Sequence, residues 1–183
     1  FGHTVTSVGP DTAQFTMFNH IVDGTLDLED IDIALSIQNS IGADARVTIN
    51  NISSVNTGKS TSVALAHSFI GSPMNINRSV DNNGIVTPTT YSVSMTPSNS
   101  NIKQFMENLP DRLSYELDLE VNPIYNVSGG NDFVYSDKLM KTEMNMTIPL
   151  SLVANDLTVA DTLDINLSEN LDNVNSGTVN LYV

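Results

Sequence analysis

The side chains of this chain that could move protons or hold a metal are three histidines and 21 acidic residues, with no cysteine among them. His3, His20 and His67 are far apart, and none stands beside a second conventional ligand or at the spacing of two ligands on one helix face. His67 falls in an alternating run with Val63, Leu65 and Phe69, so a hydrogen-bonded histidine at the core or its rim is expected. A Ser-His-Asp nucleophile would need a strand-turn-helix elbow of the Gly-x-Ser-x-Gly kind, and the sequence has none. No catalytic residue and no cofactor motif is therefore assigned, and the chain reads as a non-enzyme.

Calcium, a hard cation, needs several carboxylate oxygens converging on one point. Asp27, Glu29, Asp30 and Asp32 are dense in sequence, but alternation along a strand sends Asp27 and Glu29 to one face and Asp30 and Asp32 to the other. The expected role of this run is a solvated strand edge that discourages unwanted pairing. The loop Ser128-Gly129-Gly130-Asn131-Asp132 offers backbone groups to an ion or partner, yet these are the ordinary residues of a tight turn. Neither stretch has the twelve-residue calcium loop with its closing Glu, so the sequence leaves open whether any ion binds. Five Asn-x-Ser/Thr sequons, at Asn51, Asn77, Asn126, Asn145 and Asn166, would accept glycans only in a eukaryotic secretory pathway.

The elements that must position these groups are strands. Leu113, Tyr115, Leu117, Leu119 and Val121 alternate with Ser114, Glu116, Asp118, Glu120 and Asn122, which makes one face oily and the other polar. Ile31, Ile33, Leu35 and Ile37 repeat the pattern. Further extended segments are expected at Thr12–Asn19, Ala45–Ile52, Thr61–Ile70, Met74–Val80, Thr87–Thr96, Leu139–Val153, Thr162–Leu167 and Thr178–Val183. Turn signals between them include Asp23-Gly24, Gly71-Ser72-Pro73 and Asn83-Gly84, the last being the best hairpin turn because both residues tolerate positive φ. Met140, Met144 and Met146 share a face with Ile148, Leu150 and Leu152, a soft stripe suited to the core, a lipid cavity or a partner groove. One helix breaks the pattern: Ile102, Phe105, Met106 and Leu109 fall at helical spacing after the cap candidates Ser98 to Ser100, and Pro110 ends it. The expected fold is all-β, an antiparallel β-sandwich or flattened barrel of about ten strands closed at one end by a short amphipathic helix.

Composition limits the function. A net charge of −14, from 21 acidic against 7 basic residues, repels phosphate backbones and excludes nucleic acid as a partner. No apolar stretch approaches the roughly 20 residues of a membrane-spanning helix. With no cysteine, stability must come from core burial and sheet hydrogen bonds, and with aromatic residues at only 6% that core is aliphatic. No linker-like stretch divides residues 1–183, so a single domain is expected. The chain opens with Phe1 and stops at Val183 within an extended segment, which reads as a fragment of a longer extracytoplasmic protein.

The segment Leu109 to Leu167, with NVSGGNDFVY followed by TIPLSL and ADTLDINL, resembles uncharacterised cell-envelope proteins of Bacteroidota-type bacteria. That resemblance implies a β-sandwich lipoprotein at the outer membrane surface or in the periplasm, and it brings no catalytic residues. The anchoring cysteine of such lipoproteins is not in this chain, so any lipid anchor lies outside it. The leading expectation is a non-enzymatic structural or interaction subunit of an envelope assembly, binding protein partners by strand edges, end loops or a sheet face. The alternatives are a carrier of lipid or another hydrophobic ligand, a carbohydrate-binding accessory module, and a phage structural protein.

Overall fold

The computed structural model describes residues 2–125, 127–148 and 152–160. Among these residues twelve strands and one helix follow in the order β1 (Thr4–Gln14), β2 (Ile21–Leu28), β3 (Asp32–Asn39), β4 (Ala45–Asn56), β5 (Thr61–Ala64), β6 (Pro73–Ile76), β7 (Val80–Asn82), β8 (Ile85–Thr87), β9 (Thr89–Met95), α1 (Ile102–Glu107), β10 (Arg112–Val121), β11 (Met140–Thr147) and β12 (Leu152–Val159). The fold is an all-β sandwich. One sheet runs β1-β10-β4, with β5 and β6 meeting successive parts of the far edge of β4. The other runs β11-β3-β9, while β2 with β12 and β7 with β8 form two-stranded ribbons. All these pairings are antiparallel, and among the described residues no sheet closes into a barrel.

Alternation dictates the layers. Leu113 and Leu117 of β10 pack inward with Ile49 and Ile52 of β4, against Ile33 and Leu35 of β3, Val93 and Met95 of β9 and Met146 of β11. The acidic residues Glu116, Asp118 and Glu120 lie on the opposite face of β10. Helix α1 buries Ile102, Phe105 and Met106 in the same cluster. Six residues are too few to hold a helix alone, so packing and end contacts must fix it. It ends at Asn108, followed by Leu109 at φ +49° and Pro110. At its other end the Ser100 hydroxyl accepts the Ile102 N–H at 3.3 Å, whereas the Asn101 side chain turns outward to Ala64 and Ala66.

Several boundaries differ from expectation. The first strand is Thr4–Gln14, and the residues from Phe15 to His20 turn instead of extending. Asp23-Gly24 is not a turn but lies inside β2, opposite a register shift in β12 between Asn155 and Thr158. Gly24 there has φ +99°, and a Cβ would collide with the backbone of Asn155, Asp156 and Leu157, so the glycine marks a bulge rather than a reversal. The long segment expected at Leu139–Val153 is two strands in different sheets, β11 and β12. The extended run expected through Ile70 stops at Ala64, which leaves His67 in a turn. Asn83-Gly84 does form the β7–β8 hairpin, with φ +54° and +88°. The segments Thr162–Leu167 and Thr178–Val183 lie outside the described residues.

Candidate functional site

The sandwich is unequal, because the sheet ending in β1 is one strand wider than the sheet ending in β11. Every residue of β1 is exposed, Val5 by 58%. β11 is exposed in the same way at all positions but Met146. Among the described residues β1 pairs only with β10, and β11 only with β3. Among the described residues, then, the outer edges of these two strands carry no ladder partner, on the side of the sandwich where Leu113 of β10 and Met144 of β11 meet the cavity described next.

Between the two sheets, beside β11 and the residue that follows β1, lies an apolar cavity of about 140 Å³. Its floor is α1, through Ile102, Phe105 and Met106, and its sides include Leu113 of β10 and Leu35 of β3. Met144 of β11, 52% exposed, stands at its solvent side, with the half-buried Phe15 where β1 ends. The methionine stripe therefore divides. Met144 and Met146 line the cavity, Met140 is exposed, Ile148 packs on the core, and Leu150 and the Leu152 side chain lie outside the described residues. The flanking strands carry Asp11, Glu116, Asp118, Glu120 and Glu143 against Arg112 and Lys141. Hydrogen bonds from Ser7 (2.6 Å) and Asn50 (2.9 Å) hold the Asp118 carboxyl below its ordinary pKa, and keep it charged.

The other candidate residues are dispersed. His3 pairs with Glu120 at 2.8 Å, His20 approaches the Ala160 carbonyl at 3.3 Å, and His67 Nδ1 accepts the Phe69 N–H at 3.1 Å with its ring 4.6 Å from that of Phe69. Asp27 is bound by Lys103 at 2.8 Å, Asp30 accepts the Ile31 N–H, and Glu29 and Asp32 are exposed, so the acidic run does not converge. Among the described residues no group of three or more His, Asp or Glu side chains is placed to hold a metal ion. Asn77 and Asn145 are exposed, Asn51 is half-buried, and Asn126 and Asn166 lie outside the described residues.

The Ser128–Asp132 loop is more than a turn. Arg78 donates to Asp44 (3.0 Å) and Asp132 (3.1 Å), while the Asn122 amide donates to Asp132 at 2.9 Å. The Asp132 side chain is only 3% exposed, and the Ser128 hydroxyl, then Asn122, depress its pKa. Three loops are clasped together at this end of the sandwich. Sequence reading missed Arg78, Asp44 and Asn122 because they are remote in the chain and no local pattern links them. It also missed the first half of β1, where Val5 and Val8 are three residues apart and do not alternate, so that only the β-branched Thr4, Val5, Thr6 and Val8 hinted at a strand.

The fold defines a class, an all-β sandwich with an apolar cavity between its sheets. No family model, no curated protein and no solved structure matches the chain. Among the described residues no helix is long and apolar enough to cross a membrane.

Proposed function

We propose that this chain is a non-enzymatic interaction subunit of a bacterial cell-envelope assembly, and that it engages a protein partner along the open side between β1 and β11. The outer edges of these strands, without a ladder partner among the described residues, carry the reading. Edge N–H and C=O groups are a template for an added strand; Pro10 and a bulge between Val8 and Asp11 interrupt β1, so its Thr4–Val8 half and β11 are the stretches that offer one. The envelope setting is supported by the resemblance of residues 109–167 to envelope proteins and by the acidic, cysteine-free composition.

A photo-crosslinking side chain placed at Ser7 in β1 or at Lys141 in β11, with exposed Asn99 as control, tests this in the producing bacterium. Both strand positions should capture the same partner and Asn99 should not, and the purified partner should slow amide exchange in β1 and β11. Capture from Asn99 alone, or an isolated monomer turning over a small substrate, would overturn the reading. The carrier alternative draws on the same cavity, but 140 Å³ is well below the roughly 300–1,000 Å³ that encloses a whole small ligand.

A further inference from the structure

We infer that the cavity beside Met144 is an anchor pocket for a single bulky apolar side chain, presented by an extended, basic segment of the partner. This rests on the interaction reading above and specifies its chemistry. Main-chain pairing to β1 or β11 is nearly sequence-blind, so register on such an edge has to come from a side-chain pocket. The cavity supplies one, since only apolar side chains line it.

Its size selects the anchor. A cavity of about 150 Å³ lined by Leu, Ile and Phe stays dry and takes up benzene, and 140 Å³ here matches one aromatic ring or a Leu-sized group. Its floor is preformed, because Ile102, Phe105 and Met106 are buried in the core cluster, so seating an anchor requires little reorganisation. Charge selects the rest of the segment. Of the five carboxylates of β1, β10 and β11, Glu143 is paired with Lys141 and Glu120 with Arg46 of β4, which leaves Asp11, Glu116 and Asp118 against Arg112. Lys or Arg on the outward positions of the incoming strand would meet this field, and Asp or Glu would be rejected.

Three synthetic peptides of about ten residues, an edge-strand length, test this against the full chain. In the first, Val and Lys alternate around a central Phe; the second replaces that Phe by Ala; the third replaces each Lys by Glu. The Phe peptide should bind about tenfold or more tightly than its Ala twin, the Glu peptide at least as much more weakly, and added salt should narrow the charge difference. Met144→Trp, which fills the mouth, should erase the preference for Phe without weakening the Ala twin, and Met144→Ala should keep it. Equal affinity for the Phe and Ala peptides would discard the anchor pocket while leaving edge pairing intact. Failure of all three to bind would discard the strand chemistry, even if crosslinking places a partner at the seam. Slow exchange of the β1 and β11 edge amides in the free chain would mean that the chain closes its own seam. A fatty acid retained through purification and seen by native mass spectrometry would assign the cavity to lipid; either of these last results overturns the inference.

Discussion

At the scale of single residues, the end of the sandwich opposite α1 depends on Arg78. Its guanidinium is shared by Asp44 and Asp132, and Asp132 is almost wholly shielded from water. Removing one partner of a shielded ion pair costs more than the pair contributes, because a charge is left without compensation. Arg78→Ala should therefore lower unfolding free energy by about 3 kcal/mol, the lower end of the cost of orphaning a buried charge, as urea titration would show. Arg78→Lys should recover only part, since an ammonium does not reproduce the forked contact with two carboxylates. Gly42 is a second sensitive point. A Cβ there would collide with the Phe133 ring, whose backbone carbonyl accepts the Gly42 N–H at 2.9 Å. Gly42→Ala should cost about 1–3 kcal/mol by overpacking, and the ring shifts of Phe133 should move in the aromatic proton spectrum.

At the scale of elements, the short helix is held by a strand. The Asn56 amide of β4 donates to the carbonyls of Asn108 (3.0 Å) and Leu109 (2.8 Å), which have no next turn to satisfy them. Asn56 is buried, so Asn56→Ala leaves both carbonyls short of a donor and should destabilise the protein by about 2 kcal/mol. Amide exchange checks the cause: α1 should lose protection before the β4–β10 pairing does. This dependence was not legible in the sequence, where Asn56 is only part of a turn signal. The strands were legible wherever one face is oily and the other wet, as in β10 and β3, because burial enforces that alternation. Boundaries failed where both faces are wet. β1 has no buried residue, so its Thr4–Gly9 half left little hydrophobic signal. Gly24 misled because a glycine serves a bulge as readily as a turn. The apolar stripe of the cavity was visible as Met144 and Met146, and the helix floor as Ile102, Phe105 and Met106. That the two meet across the sandwich follows from long-range pairing, which periodicity does not encode.

At the scale of the whole molecule, charge and pH pull in opposite directions. A net charge of −14 destabilises the compact state through self-repulsion. Raising salt from about 0.01 to 0.15 M shortens the screening length from roughly 30 to 8 Å, and should raise the melting temperature at pH 7. Acid acts on particular carboxylates. Lys103 holds Asp27 below the ordinary value, Thr57 does so for Asp111, Ser7 for Asp118 and Ser128 for Asp132. In the unfolded chain each titrates near 4, so above that pH their contribution to stability is fully present. It is lost as pH falls through the depressed folded values, because the unfolded state takes up protons first. Relief of repulsion as the remaining carboxylates protonate works the other way between about pH 5 and 4. Melting temperature at low salt should therefore hold or rise slightly down to that range and fall steeply below it. Asp132→Asn separates the two effects: it should flatten the acid limb while leaving the salt dependence at pH 7 nearly unchanged. An acid limb identical to that of the unmodified protein would show that Asp132, despite its shielding, is not among the groups that set acid stability.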